Sequence, residues 1–122
     1  MNFDFSIGKI NRPKVSITNY SIKFNKEAIE LLGSPKHISI GLDKELKKLA
    51  FKASDEINYN EPVYNFALNS SRQNGLTISA KTIRNEVINL MIEKPKTKGI
   101  YFLLELDNDT KLGIIDLSYP IY

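Results

Sequence analysis

Residues 21–52, SIKFNKEAIELLGSPKHISIGLDKELKKLAFK, place a strand, a short helix and a hairpin in thirty-two residues with almost no slack, and this succession constrains the fold most. Ile22 and Phe24 alternate with polar neighbours, the period of a half-buried strand. Asn25 then stands where a helix N-cap accepts a backbone N–H, and Ala28, Ile29 and Leu32 supply the apolar stripe of a short helix. Gly33 stops it, because glycine takes the left-handed conformation at a helix end at little cost, and Ser34-Pro35 does not continue a helix. Ile38, Ile40 and Leu42 alternate next; the polar run 43–47 turns the chain, and Leu49 and Phe51 alternate on the return.

A degenerate second copy of this unit follows downstream. Thr77-Ile78-Ser79 leads into Ala80, Ile83, Val87 and Leu90, whose spacings put one apolar helical face on a core, and residues 100–117 form another hairpin. Leu42-Asp43 matches Leu106-Asp107, and Lys48-Leu49-Ala50-Phe51 matches Lys111-Leu112-Gly113-Ile114 after a one-residue slip in the turn. Upstream of each unit a further strand fits: Val15 and Ile17 through a tight Asn19-Tyr20 turn in the first half, and Tyr64, Phe66 and Leu68 in the second. The sequence thus predicts an α+β single domain over residues 1–122 made of two ββαββ repeats. The first repeat covers 14–52, the second 63–117, and an acidic linker at 53–62 ends in proline. Phe3, Phe5 and Ile7 alternate ahead of them and predict a short additional strand.

The segment 14–52 resembles the AbrB and MazE-type swapped-hairpin transcription factors. Ile22-Lys23-Phe24 stands for the strand, Lys26-Glu27-Ala28-Ile29 for the helix opening and Leu32-Gly33 for its end, with a fainter likeness over 63–117. In that family two chains interleave hairpins into one barrel-like core, so the resemblance implies an intramolecular pseudo-dimer, one chain supplying both halves of a swapped-hairpin-like barrel. It also implies DNA contact through basic residues of the first strands and their loops, here Lys9, Arg12, Lys14 and Lys23. Two family features are missing. The first turn reads Thr18-Asn19-Tyr20-Ser21 in place of a Gly-Arg pair, and Asn25 sits where the family has proline.

Charge distribution bears on the same function. Residues 1–52 hold ten Lys/Arg against five Asp/Glu, residues 53–76 one against three, and residues 77–122 six of each. A basic first half attracts phosphate or an acidic protein surface; scattered lysines also keep a small domain soluble. Lys44, Lys47, Lys48 and Lys52 cluster around the hairpin turn as a second phosphate-facing candidate, and Tyr20 offers a ring for stacking on a base or anchoring a protein. Arg72, Lys81 and Arg84 flank the second hairpin turn and the exposed side of the second helix, as pseudo-symmetric partners of the first basic set.

Other chemistries find no residues to carry them. The chain has no cysteine and one histidine, His37, read as a loop residue, so no thiolate nucleophile, disulfide or zinc set is expected. Asp107-Asn108-Asp109 opens like a calcium loop, but Leu112 and Ser118 occupy the glycine and glutamate positions, which makes it a turn. Ser70-Ser71 has no histidine partner, and no cofactor is expected. With no long apolar run and no leader pattern, the reading is a cytoplasmic protein without membrane contact, either a monomer with internal pseudo-symmetry or a homodimer. Frequent Ile, Lys and Asn fit an AT-rich genome such as that of a low-GC bacterium or its mobile elements. The expected function is non-enzymatic binding of duplex DNA, as in a regulator of phage or mobile-element type. The alternative is a small interaction or inhibitor protein that binds a host protein or nucleotide.

Overall fold

In the computed structural model, residues 2–4, 12–54, 62–66, 75–96 and 98–121 are described, and they form an α+β structure with two antiparallel sheets. Of the predicted strand at 64–68, residues 64–66 are described and Tyr64–Asn65 is a strand; of that at 3–7, residues 3 and 4 are described and are not in a strand, and the rest lie outside the described residues. Strands β1 (Lys14–Ile17) and β2 (Ile22–Phe24) lead to helix α1 (Lys26–Leu31), then β3 (His37–Asp43), β4 (Lys48–Ser54), β5 (Tyr64–Asn65) and β6 (Leu76–Ile78). Helix α2 (Lys81–Leu90) follows, and β7 (Ile100–Leu103), β8 (Glu105–Leu106) and β9 (Gly113–Asp116) complete the order. One sheet runs β6-β2-β1-β7 and the other β5-β3-β4-β9-β8. Neither described helix is long and apolar enough to cross a membrane.

Period-two alternation decides which side of each strand is buried. Val15, Ile17, Ile22 and Phe24 point inward from the four-stranded sheet, and Ile38, Leu49, Phe51 and Ile115 from the five-stranded one; all are at most 1% exposed. The Phe24 ring meets Phe51 at 5.0 Å and Phe66 at 4.9 Å, both edge-on, so one aromatic side chain joins the sheets and the 62–66 segment.

Helix α1 has the predicted ends. Asn25 Oδ1 accepts from Ala28 N at 2.8 Å, and at the other end Gly33 lies at φ +82° while Ser34 N donates to Ile29 O and Gly33 N to Glu30 O. That pair of bonds is a Schellman motif, which satisfies carbonyls the helix leaves open. His37 opens β3 instead of lying in a loop, opposite Ser54 on one side and Asn65 on the other. The last hairpin is more broken than the alternation predicts. Leu104, 2% exposed, interrupts it, so that β7 pairs with β1 in one sheet while β8 pairs with β9 in the other.

The hairpin turns after β3 and β8 share one geometry. Asp43 pairs with Lys48 across the first, and Asp107 N donates to Leu112 O across the second. Four residues beyond each aspartate a lysine adopts positive φ, Lys47 at 54° and Lys111 at 62°. Each aspartate also accepts within its turn, Asp43 Oδ1 from Leu46 N and Asp107 Oδ2 from Thr110 Oγ1 at 2.6 Å. In turn position and backbone conformation Lys111 resembles Lys47 more than Lys48, the lysine that letter identity aligns with it. The Thr110 hydroxyl, helped by Asp109 N, holds the Asp107 carboxyl below its ordinary range.

Removing the joint between the sheets should cost the most stability. Phe24→Ala is expected to lower the unfolding free energy by about 3–5 kcal/mol, read from urea denaturation; a loss near that of a surface substitution would contradict this packing.

Candidate nucleic-acid interface

Because Val15, Ile17, Ile22 and Phe24 face the core, their neighbours Lys14, Ser16 and Lys23 lie on the outer face of the four-stranded sheet. Pairing fixes a row across all four strands: Thr77 opposite Lys23, Lys23 opposite Ser16, Ser16 opposite Tyr101. Lys14 stands one step along on the same face, opposite Leu103. No strand residue on this face is a carboxylate. Lys23 and Arg12 are exposed, Lys14 is half-buried, and Ser16 is buried although it points to this face.

Asn25 explains how Arg12 and Lys14 are held. Besides capping α1, its Oδ1 accepts from Lys14 N at 3.0 Å and its Nδ2 donates to Arg12 O at 2.8 Å. One amide thus ties the helix start to the entry of β1. A proline at this position has no side-chain donor or acceptor and could make none of these bonds.

Tyr20 lies at the opposite end of the β1–β2 hairpin. Thr18 Oγ1 accepts from Tyr20 N and Ser21 N, and Thr18 N donates to Ser21 O, which closes the turn and leaves the Tyr20 ring 67% exposed. Arg84 reaches this turn from α2. It is buried, not exposed as its place in the sequence predicts, and its Nη1 donates to the carbonyls of Tyr20 and Ser79. The predicted stripe does face the core, with Ala80 and Val87 buried and Ile83 and Leu90 partly buried against it, and Arg84 and Met91 are buried beside it. The guanidinium lies there because two backbone carbonyls meet it. Lys81 remains exposed.

The hairpin-turn lysines belong to the other sheet and sit beside acids. Lys44 Nζ lies 3.2 Å from Glu86, and Lys48 stands opposite Asp116, in a hollow also lined by Glu105 and Asp107. Lys47 is half-buried, and its carbonyl accepts from Leu117 N at 2.9 Å. Lys9 and Arg72 lie outside the described residues. The structure therefore brings Arg12, Lys14 and Lys23 together at one end of the sheet face, with Tyr20 at the other end of the hairpin and Lys44, Lys47 and Lys48 elsewhere.

A second basic element borders the sheet face. Gly99 packs so closely on β1 that a Cβ there would lie 1.9 Å from Ser16 Oγ, and Asn19 N donates to Lys96 O at 3.1 Å. Any larger residue here would have to displace the Ser16 hydroxyl. The segment around it places Lys96 and Lys98 beside Tyr101, which is 44% exposed. The sequence signal was the alternating lysines of KPKTKG, but nothing local shows that this loop folds back on the first hairpin.

The chain matches no known protein family, no curated protein and no solved structure.

Asn25→Ala is expected to lower the unfolding free energy by about 1–2 kcal/mol, since cap and tether go together, whereas Asn25→Asp, which keeps the acceptor, should lose less. Equal losses in chemical denaturation would contradict an acceptor-led role.

Proposed function

We propose that this chain is a non-enzymatic DNA-binding protein, of the kind that regulates transcription in phage or mobile elements, and that it docks duplex DNA on the outer face of the four-stranded sheet. The observation that carries the reading is that face itself: Lys14 and Lys23 with Thr77 and Tyr101, Arg12 at its end and no carboxylate on its strands, while Ser16 between them is buried against Gly99. Lysine-led neutralisation of phosphates releases counterions and supplies affinity, while the exposed Thr77 offers a neutral hydrogen bond to a phosphate oxygen. Such contacts position a protein on DNA more than they read its sequence.

The finer architecture in this proposal is two ββαββ repeats, 14–52 and 63–117, packed as an AbrB-like pseudo-dimer. Strand pairing supports it. Exchanging the two halves carries the β1–β7 pair, Val15 opposite Phe102, onto the β5–β3 pair, Tyr64 opposite Ile38. The β2–β6 and β4–β9 pairs each join one half to the other and map onto themselves. The shared aspartate-to-lysine turns agree with the same exchange. Lys44 and Lys48 have no part in the proposed contact, because Glu86 and Asp116 already stand beside them.

Fluorescence anisotropy with duplex DNA tests the contact. Affinity should fall steeply between about 50 and 200 mM salt, and the triple substitution Arg12→Ala, Lys14→Ala, Lys23→Ala should reduce the logarithmic salt slope by about 3. Absence of duplex binding at low salt, or a slope unchanged in the triple variant, would reject the proposal. For the architecture, a protease site placed in 55–61 and cleaved under native conditions should leave the two pieces bound to each other through their interleaved strands. Separation into two independently folded pieces would contradict the pseudo-dimer.

A further inference from the structure

We infer that the cavity between the basic segment and the chain's end is a binding site for a nucleoside phosphate. It borders the proposed duplex face at Tyr101 but draws its charge from other lysines, and it does not depend on that contact. Its volume is about 560 Å³, within the range of about 300–1,000 Å³ common for small-molecule sites. Lys96, Lys98, Tyr101, Ile121, Ile100 and Glu93 supply the chemistry of its lining.

The arrangement divides as a nucleotide does. Lys96 and Lys98 are exposed, and among the described residues neither is in an ion pair, so both ammonium groups are available to a phosphate. Their segment is anchored, since Lys96 O is held by Asn19 N and Gly99 is packed on Ser16, which reduces the ordering cost of binding. Lys94 adds positive charge, although its Nζ is occupied with the carbonyls of Ile88, Asn89 and Met91 at the end of α2. Tyr101 offers an exposed ring face on which a base can stack. Its backbone is fixed from both sides, paired with Ser16 in β1 and accepting from Ile121 N at 2.7 Å. Ile100 and Ile121 give the base an apolar wall, and the Glu93 carboxylate can accept from an exocyclic amine or a sugar hydroxyl. A phosphate alone has no use for the ring and apolar wall, and a nucleoside alone has none for the lysines.

Isothermal titration calorimetry with each of the four common nucleoside 5′-monophosphates provides the test, with inorganic phosphate and the free nucleosides as controls. At least one monophosphate should bind once per chain and about tenfold or more tighter than either control. Lys96→Ala with Lys98→Ala, and separately Tyr101→Ala, should each weaken it about tenfold, while Tyr101→Phe keeps the affinity. These side chains are exposed, so the variants are expected to keep the circular dichroism spectrum of the parent chain. A 5′-phosphorylated tetranucleotide distinguishes sources: tighter binding than the monophosphate assigns the site to a strand end, weaker binding to a free nucleotide. The triple variant of Arg12, Lys14 and Lys23 should keep monophosphate binding, which separates this site from the duplex contact. The inference is overturned if neither a monophosphate nor the tetranucleotide binds at about 1 mM, if phosphate alone binds as well, or if the variants at Lys96, Lys98 and Tyr101 bind unchanged.

Discussion

The Phe24 ring holds this molecule together. It stands on β2 of the four-stranded sheet, meets Phe51 of the five-stranded sheet and Phe66 beyond β5, and is itself 1% exposed. Once this residue points inward, the pleat sends Lys23 outward, and antiparallel pairing places Ser16 and Thr77 on either side of that lysine. The charged face is thus a geometric consequence of the core. A one-residue slip of β2 would bury Lys23 and expose the phenylalanine, so the same apolar contacts that stabilise the fold also fix the register of the proposed contact surface.

Charge placement separates the two basic regions in a way that net charge does not. The β3–β4 turn is rich in lysine, yet Glu86 and Asp116 from elements distant in sequence stand beside Lys44 and Lys48. On the outer sheet face, no strand residue plays that role. Local field, not local composition, distinguishes a solvated turn from a surface able to attract phosphate.

Much of the first half was legible in the sequence because its signals are local. Asn25 as cap, Gly33 as stop and the alternation of Ile38, Ile40 and Leu42 each depend on neighbours within a few residues, and the structure has all three. Long-range facts were not legible. That Asn25 also ties down Arg12 and Lys14, that Arg84 turns inward to two carbonyls, and that Leu104 divides a hairpin between sheets all depend on partners no periodicity names. The Lys47 correspondence with Lys111 was obscured by an adjacent lysine, and only backbone conformation resolves it. Of the candidate site, the lysines of β1 and β2 were readable, whereas the return of the 94–99 segment to the first hairpin was not.

The most direct test of the central claim is a map of backbone amide chemical shifts during titration with duplex DNA. The account predicts that the largest changes fall on Arg12, Lys14, Lys23 and Thr77, along the accessible part of the outer sheet face. Changes centred on Lys44, Lys47 and Lys48, or spread evenly over both sheets, would contradict it.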